Sequence, residues 1–519
     1  MPEHLRALIV IVVLAGAVFL IGRRPACGLA MTDHDFVRRR NLWFAVTLIA
    51  FLAHNFWLFL ALAGAVLYLA GRKERNVMAL YLLLLFAVPP FSARISGLGL
   101  VNQLLSIDYP RLLAIALLLP AALRLRRSTR HEGRFLPDYL IVGYVLVQLG
   151  LQYSVDSLTN TARYGVYDIL DIGLPYYVAS RSLRDVKAFR EAAMSLVLAC
   201  TVLAVIAVFE TARHWLLYAS LDHALDVQWG LGAYLGRNAL LRAQATTGQP
   251  IVLAYILSVA LAAHVYLRRS IANPSMWALG FAALSGGLVA TLSRGPWIGA
   301  VVALLVFRVA GPKAIGGLLK VGMAIAALGA IVMVSPLGAA VSQYLPFVGN
   351  IDTDNITYRQ NLLEISTRII LQNPWFGSYD FLARSSFDSV RQGNAGFVDL
   401  VNTYVGIGLA NGLVGLSFFV GAFVAAGAGI VIAMRRLPDP LGEARTLGQG
   451  LLAGLAGIMA IIFTVSSISF IPVVYWTVVG LAVGYAAMLR QPSHEVTAEP
   501  ADPEPAPRGL RVQARARAS

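Results

Sequence analysis

Four arginines and a carboxylate stand where the chain stops being apolar. Arg242 lies in LLRAQATTGQP, residues 240–250, just ahead of an apolar run. Arg294 lies in Ser293-Arg294-Gly295-Pro296, a charge at a tight turn between two apolar runs. Arg359 and Arg368 lie in NITYRQNLLEISTRIILQNPWFGS, residues 355–378, where Tyr358, Leu362, Ile365 and Ile369 recur at helical spacing and Pro374 must end the helix. Asp399 precedes Asn402 and Tyr404 in GFVDLVNTYVGIGLANGLVGLSFF, residues 396–419. A guanidinium is planar and permanently charged, and it grips an oxyanion with two parallel hydrogen bonds where lysine offers a point charge. Preorganised donors of that kind are each worth about 10²–10³ in rate when they meet charge developing in a transition state. Asp399 is the proton acceptor of its segment, while Asn402 can orient a hydroxyl but is a poor base.

These residues need a frame, and composition names it. Of 519 residues 58% are hydrophobic and 13% charged, where a soluble globular chain carries about 25% charged residues. Mean hydropathy is +0.69. The runs 5–22, 192–209, 250–267, 315–334 and 412–434 are nearly free of charge and close to the about 20 residues that cross a bilayer as helix. We therefore expect an all-α, polytopic membrane protein of about 14 transmembrane helices. Its expected parts are an N-terminal bundle over 1–336, a large periplasmic loop with amphipathic helices over 337–411, closing helices over 412–490 and a disordered cytoplasmic tail over 491–519. That tail is rich in proline and in charges of both signs, and cannot bury enough apolar surface to order itself. The net charge of +15 does not point to nucleic acid, because the basic residues sit between the apolar runs.

Those basic clusters orient the chain. Arg23, Arg24 and Arg38 to Arg40, then Arg72, Lys73 and Arg75, then Arg124 to Arg134, Arg181 to Arg190, Arg268 with Arg269, and Arg435 with Arg436 read as cytoplasmic. Residues 41–71 are too long for one upright helix, so a hairpin is expected near His54 and Asn55. Intervals 91–110, 155–165, 211–249 and 337–411 then fall outside, and the C-terminus inside. The last interval carries 4 Lys/Arg against 6 Asp/Glu, which suits the outer face. The first apolar run reads as a retained helix, since Arg23 and Arg24 stand where a signal cleavage site needs small residues. Cys27 and Cys200, in a cytoplasmic loop and inside a span, are not expected to meet.

Signals of several enzyme classes are missing from the sequence: no Walker A loop, no Cys-x-x-Cys, no His-Glu-x-x-His and no Gly-x-Ser-x-Gly. No metal and no cofactor is therefore expected. The Asp-x-Asp of the long loop, Asp352-Thr353-Asp354, suits a helix start better than a metal.

The order of these motifs carries a resemblance. Arg242 with Gly248 and Pro250 before a span, a Ser-Arg-Gly turn at Arg294, an Arg359-headed helix closed by Asn-Pro-x-x-Gly (Pro374, Gly377), then Asn402-x-Tyr404 running into Gly-Leu-x-Gly-Leu, resembles the O-antigen ligase and O-antigen polymerase superfamily over roughly residues 160–490. The resemblance implies glycan transfer from an undecaprenyl-pyrophosphate carrier at the outer face of the inner membrane, without metal or nucleotide. A lipid-linked oligosaccharide, membrane lipids and other polysaccharide-assembly proteins are the implied partners. One departure matters: family ligases carry His-Asn-x-Tyr, and the matching position here is Val401. That tilts the expectation from ligase toward polymerase, and leaves Asp399 as the candidate base.

On this reading Arg294, Arg359, Asp399 and Asn402 are candidate catalytic residues, and Arg242, Arg368, Tyr404 and Trp375 candidate substrate-binding residues. Each has a plainer explanation. Arg294 can cap a hairpin or reach for headgroups, Arg368 has Glu364 at i−4, and Asp399 can cap the following helix. Trp375, Phe376, Tyr379, Phe381 and Phe387 suit sugar rings but also an interfacial aromatic belt. Asp168 and Asp171, three apart in an apolar stretch, read as functional intramembrane carboxylates, or else pair with Arg163 or face a polar seam; Glu210 and His214 read as an interfacial pair. The alternative of another class is a flippase for lipid-linked glycans, against which stands the lack of an internal repeat.

Overall fold

In the computed structural model the described residues are 1–97, 103–128, 134–237, 240–312, 316, 322, 353–383, 385–391 and 398–490. The run 315–334 lies outside them almost entirely. Residues 337–352 and the tail 491–519 lie wholly outside.

The chain is mainly helical. In order come α1 (Glu3–Leu29), α2 (Asp33–Leu52), α3 (Phe56–Lys73), α4 (Val77–Leu84), the antiparallel pair β1 (Ser92–Ser96) and β2 (Gln103–Asp108), and α5 (Tyr109–Leu113) joined by a π turn to α6 (Leu119–Ser128). Then follow α7 (Leu136–Val155), α8 (Leu158–Asp168) joined by a π turn to α9 (Leu174–Ser182), α10 (Val186–Arg213), α11 (Leu221–Ala224), the short pair β3 (Gly236–Arg237) and β4 (Leu240–Leu241), α12 (Pro250–Tyr266), α13 (Pro274–Ala290) and α14 (Arg294–Val309). The last helices are α15 (Thr353–Gln372), α16 (Thr403–Arg435), α17 (Glu443–Ile462) and α18 (Ile471–Met488). The two small sheets are a departure from the all-α expectation.

Among the described residues 7 helices are long and apolar enough to cross a membrane. They include the expected runs 5–22, 192–209, 250–267 and 412–434. The expected hairpin is present: α2 ends at Leu52, His54 turns with φ 52°, and the Asn55 side chain caps α3 by accepting from the Trp57 and Leu58 amides. Helices apolar all round sit inside, as α12 does, and α1 leaves Ile9, Val13 and Leu20 exposed, an apolar face suited to lipid. Central α10 packs on α1, α4, α12 and α13.

Two contacts of α14 and α16 position the residues of interest. Gly295, Gly299 and Ala303 recur every four residues on α14 and let α17 approach closely. A Cβ at Gly299 would lie 2.1 Å from Ile461 Cγ1, and one at Gly295 would lie 2.4 Å from Thr464 Oγ1. Helix α16 breaks at Gly412 (φ 63°, ψ −168°), a conformation essentially confined to glycine. The turn 373–378 supplies the partners that the break frees: Leu413 N donates to Pro374 O (2.8 Å), Val414 N to Trp375 O (3.0 Å), and Ser378 N to Leu409 O (2.7 Å). The Asn-Pro-x-x-Gly and Gly-Leu-x-Gly-Leu motifs are thus the two halves of one backbone joint.

The intervals expected outside meet one another. Arg94, Asp156, Asn160 and Gln228 line one cavity, and Tyr379 reaches Gln152, in the last turn of α7 just ahead of the second interval, at 3.0 Å. The basic clusters meet likewise: Arg39 bonds Glu74 (2.8 Å) and Glu191 (2.7 Å), and Arg190 bonds Glu443 (2.8 Å).

Candidate active site

The turn between α13 and α14 is the centre of the arginine cluster. Leu292 takes φ 51° there, the left-handed region that non-glycine residues avoid. Arg242 holds the turn from one side, Nε donating to Thr291 O (3.2 Å) and Nη2 to Ser293 Oγ (2.9 Å). Arg237 donates from Nη1 to Leu292 O at 2.8 Å. Both arginines belong to the β3–β4 hairpin, where Arg237 faces Leu240 and Arg242 N donates to Leu235 O at 2.9 Å. Arg237 was invisible to sequence reading because no motif holds it; only the two-residue ladder brings it to Arg242.

This hairpin is pinned from beneath by a buried carboxylate. Glu210, near the end of α10, accepts from Gln244 N (2.9 Å), Ala245 N (2.9 Å) and Leu217 N (3.1 Å). These bonds fix the loop that carries Arg242. The Arg242 guanidinium is pushed down to about 10 by its burial and by the positive charge of Arg237. It stays charged at neutral pH. Two cations facing one turn, one of them largely desolvated, make a region that an anion would stabilise. Ser293, the N-cap of α14, makes no side-chain cap bond; its hydroxyl serves Arg242 instead, beside the positive end of the helix that Arg294 begins.

Asp399 is held by three elements. The Tyr358 hydroxyl of α15 donates to Asp399 O (3.0 Å) and accepts from Asp399 N (3.1 Å). The carboxylate oxygen Oδ1 accepts from Val401 N (3.1 Å) and Ser466 Oγ (2.9 Å). Asp399 therefore does not cap α16. Asn402 does, accepting from Tyr404 N (2.9 Å) and Val405 N (3.2 Å), so its carbonyl is occupied. Residues 399 and 402 share no helical face, because α16 starts at Thr403 and Val401 sits at φ 52°.

The segment after α17 links the two halves. Thr464 meets Gly295, next to Arg294; Val465 O accepts from Thr403 N at 3.1 Å; and Ser466 reaches Asp399. Ser466 is a second residue missed by sequence reading, since a serine in an apolar run carries no signal of its partner.

The other sequence candidates are spread more widely. Arg359 is exposed on α15, one residue after the Tyr358 clamp. Arg368 pairs with Glu364 at 3.0 Å, both about 70% exposed. Trp375 and Phe376 are exposed on the turn that docks on the α16 break. Phe381 and Phe387 are buried in a small core with Leu362, Ile369 and Leu409. The Tyr404 hydroxyl donates to Met459 O at 2.9 Å, tying α16 to α17. Asp171 pairs with Arg111 (2.8 Å), not Arg163, which donates to Leu104 O (3.0 Å).

Residues 279–420 match the family model described as O-antigen ligase. The resemblance to the O-antigen ligase and polymerase superfamily therefore holds, on that stretch. No curated protein matches the chain. The O-antigen ligase match begins within α13 and ends just past the α16 break, so it takes in Arg294, Arg359, Asp399 and Asn402. It leaves Arg237, Arg242 and Ser466 outside. Together with the 7 candidate spans, the match marks a multi-pass membrane protein.

Proposed function

We propose that this protein transfers a glycan from an undecaprenyl-pyrophosphate carrier on the periplasmic face of the inner membrane, as a polymerase of a surface polysaccharide. The observation that carries the reading is the pair Arg237 and Arg242 on the turn that leads into Arg294, joined to Asp399 through residues 464–466. In the reaction the bond between the sugar's anomeric carbon and the pyrophosphate oxygen breaks as the acceptor hydroxyl attacks. Charge collects on the departing pyrophosphate, which Arg242 and Arg294 bind. The hydroxyl proton passes to Asp399, whose Oδ2 makes no hydrogen bond among the described residues. Residues 337–411 form the periplasmic loop of a bundle of about 14 spans; the meeting of the intervals expected outside supports that sidedness.

Polymerase is favoured over ligase because Val401 stands where family ligases carry histidine. The deciding experiment is a deletion strain: single lipid-linked repeat units should accumulate outside. Completed chains left on the carrier would favour a ligase, and units trapped inside a flippase. Arg242→Lys, which keeps charge but not the fork, should reproduce the deletion while the protein still inserts.

A further inference from the structure

Next to the arginine hairpin lies a polar cavity that the transfer step does not use. It has a volume of about 730 Å³ and is walled by Arg94 and Ser106 of the β1–β2 hairpin, Asn160 and Tyr164 of α8, and Gln228. That volume is within the about 300–1,000 Å³ of ligand pockets.

The walls are fixed before any ligand arrives. Arg163 ties α8 to β2 through the carbonyls of Gln103 and Leu104, and the Tyr167 hydroxyl accepts from Ser106 N at 2.6 Å. Arg111 lies 3.9 Å from the Tyr167 ring centroid and is itself held by Asp171. The groups left over are of both kinds. The side chains of Arg94, Gln103 and Gln228 and the Tyr164 hydroxyl make no hydrogen bond among the described residues. Arginine only donates, but each glutamine amide both donates and accepts, as does a tyrosine hydroxyl. A phosphate needs donors alone and would meet the Asp156 carboxylate in the wall. Sugar hydroxyls donate and accept, and the Tyr164 ring, edge-on to Tyr167 at 5.7 Å, offers an apolar face.

Position supplies the rest. Gln228 is followed by Trp229, which packs on Phe91 at 4.7 Å between centroids and fills the space beside Gly232 and Gly248 of the loop that carries Arg242. We propose that this cavity is a saccharide subsite, taking an oligosaccharide whose reacting end lies at the arginine turn; the inference rests on the transfer reading for that second clause.

The test uses the full-length protein in nanodiscs and, as probe, the repeat-unit oligosaccharide released from the source cell's own lipid-linked pool. Titration should give saturable binding. Tyr164→Ala and Gln228→Ala should each weaken it about tenfold, the loss of one good contact. Arg94→Gln, at an exposed strand position, should do the same in a protein whose melting temperature is unchanged. Arg242→Lys should lower transfer by about 10²–10³ but leave this binding intact. Absence of saturable binding to the wild type, or equal affinity in all three pocket variants, would overturn the subsite. Pocket-dependent binding in a protein whose deletion leaves surface polysaccharide unchanged would instead sink the transfer reading and leave the subsite standing.

Discussion

Arg39 and Arg242 are both guanidinium groups withdrawn from water, and the chain treats them oppositely. Arg39 is 1% exposed and bonded to two carboxylates, Glu74 and Glu191. Arg242 bonds only neutral oxygens among the described residues, those of Thr291 and Ser293, and has a second arginine for a neighbour. Helix α10 serves both, Glu191 near its start meeting Arg39 and Glu210 near its end holding the Arg242 loop, about 28 Å apart by helical rise. The Glu210 carboxylate is spent on backbone amides instead of on the arginine. A buried charge left without a counter-charge costs stability. On the proposed transfer reading, the departing pyrophosphate restores the balance.

That contrast can be broken at several points. The largest effect is expected at Arg39: Arg39→Ala leaves Glu191 without its cation and Glu74 with Arg38 alone, and should destabilise the protein by about 3–5 kcal/mol, read as a lower melting temperature or failure to accumulate. Arg242→Lys should leave melting almost unchanged yet lower polymer formation by about 10²–10³; a loss of stability like that of Arg39 would erase the difference between the two ends. Asp399→Asn should lower polymer formation by about 10², the usual range for a general base, with α16 intact because Asn402 is its cap. Wild-type polymer from that variant would mean the departing pyrophosphate takes the proton. Val401→Asn should raise stability by about 1 kcal/mol, since a β-branched residue is strained in the left-handed region and asparagine is not. The smallest effect is expected at Arg368, whose exposed pair with Glu364 is screened: Arg368→Ala should change neither melting nor polymer yield.

The membrane character, the main apolar runs and the hairpin at His54 were legible in the sequence because each rests on local composition and spacing. The arginine and Asp399 motifs were legible as residues but not in their roles. Asp399 resembled a cap until Val401 took a left-handed backbone, which ends any shared face with Asn402. The Asn-Pro-x-x-Gly turn carried a regular signal, yet its use was hidden: it repairs a helix break 35 residues further on, from Gly377 to Gly412, and no local pattern announces such a partner. Arg163 and Arg111 were equally available to Asp171, and packing chose Arg111.

What the sequence alone determined is the solvent and the inventory: apolar runs long enough for a bilayer, basic clusters between them, and arginines at their ends. Tertiary structure decided which charges are neutralised. Whether Glu210 meets an arginine or three amides depends on where α10 ends relative to the β3–β4 hairpin, and whether Ser466 meets Asp399 depends on how closely Gly295 and Gly299 let α17 approach. Hydropathy is a sum over neighbours in the chain, while electrostatic compensation is a property of neighbours in space.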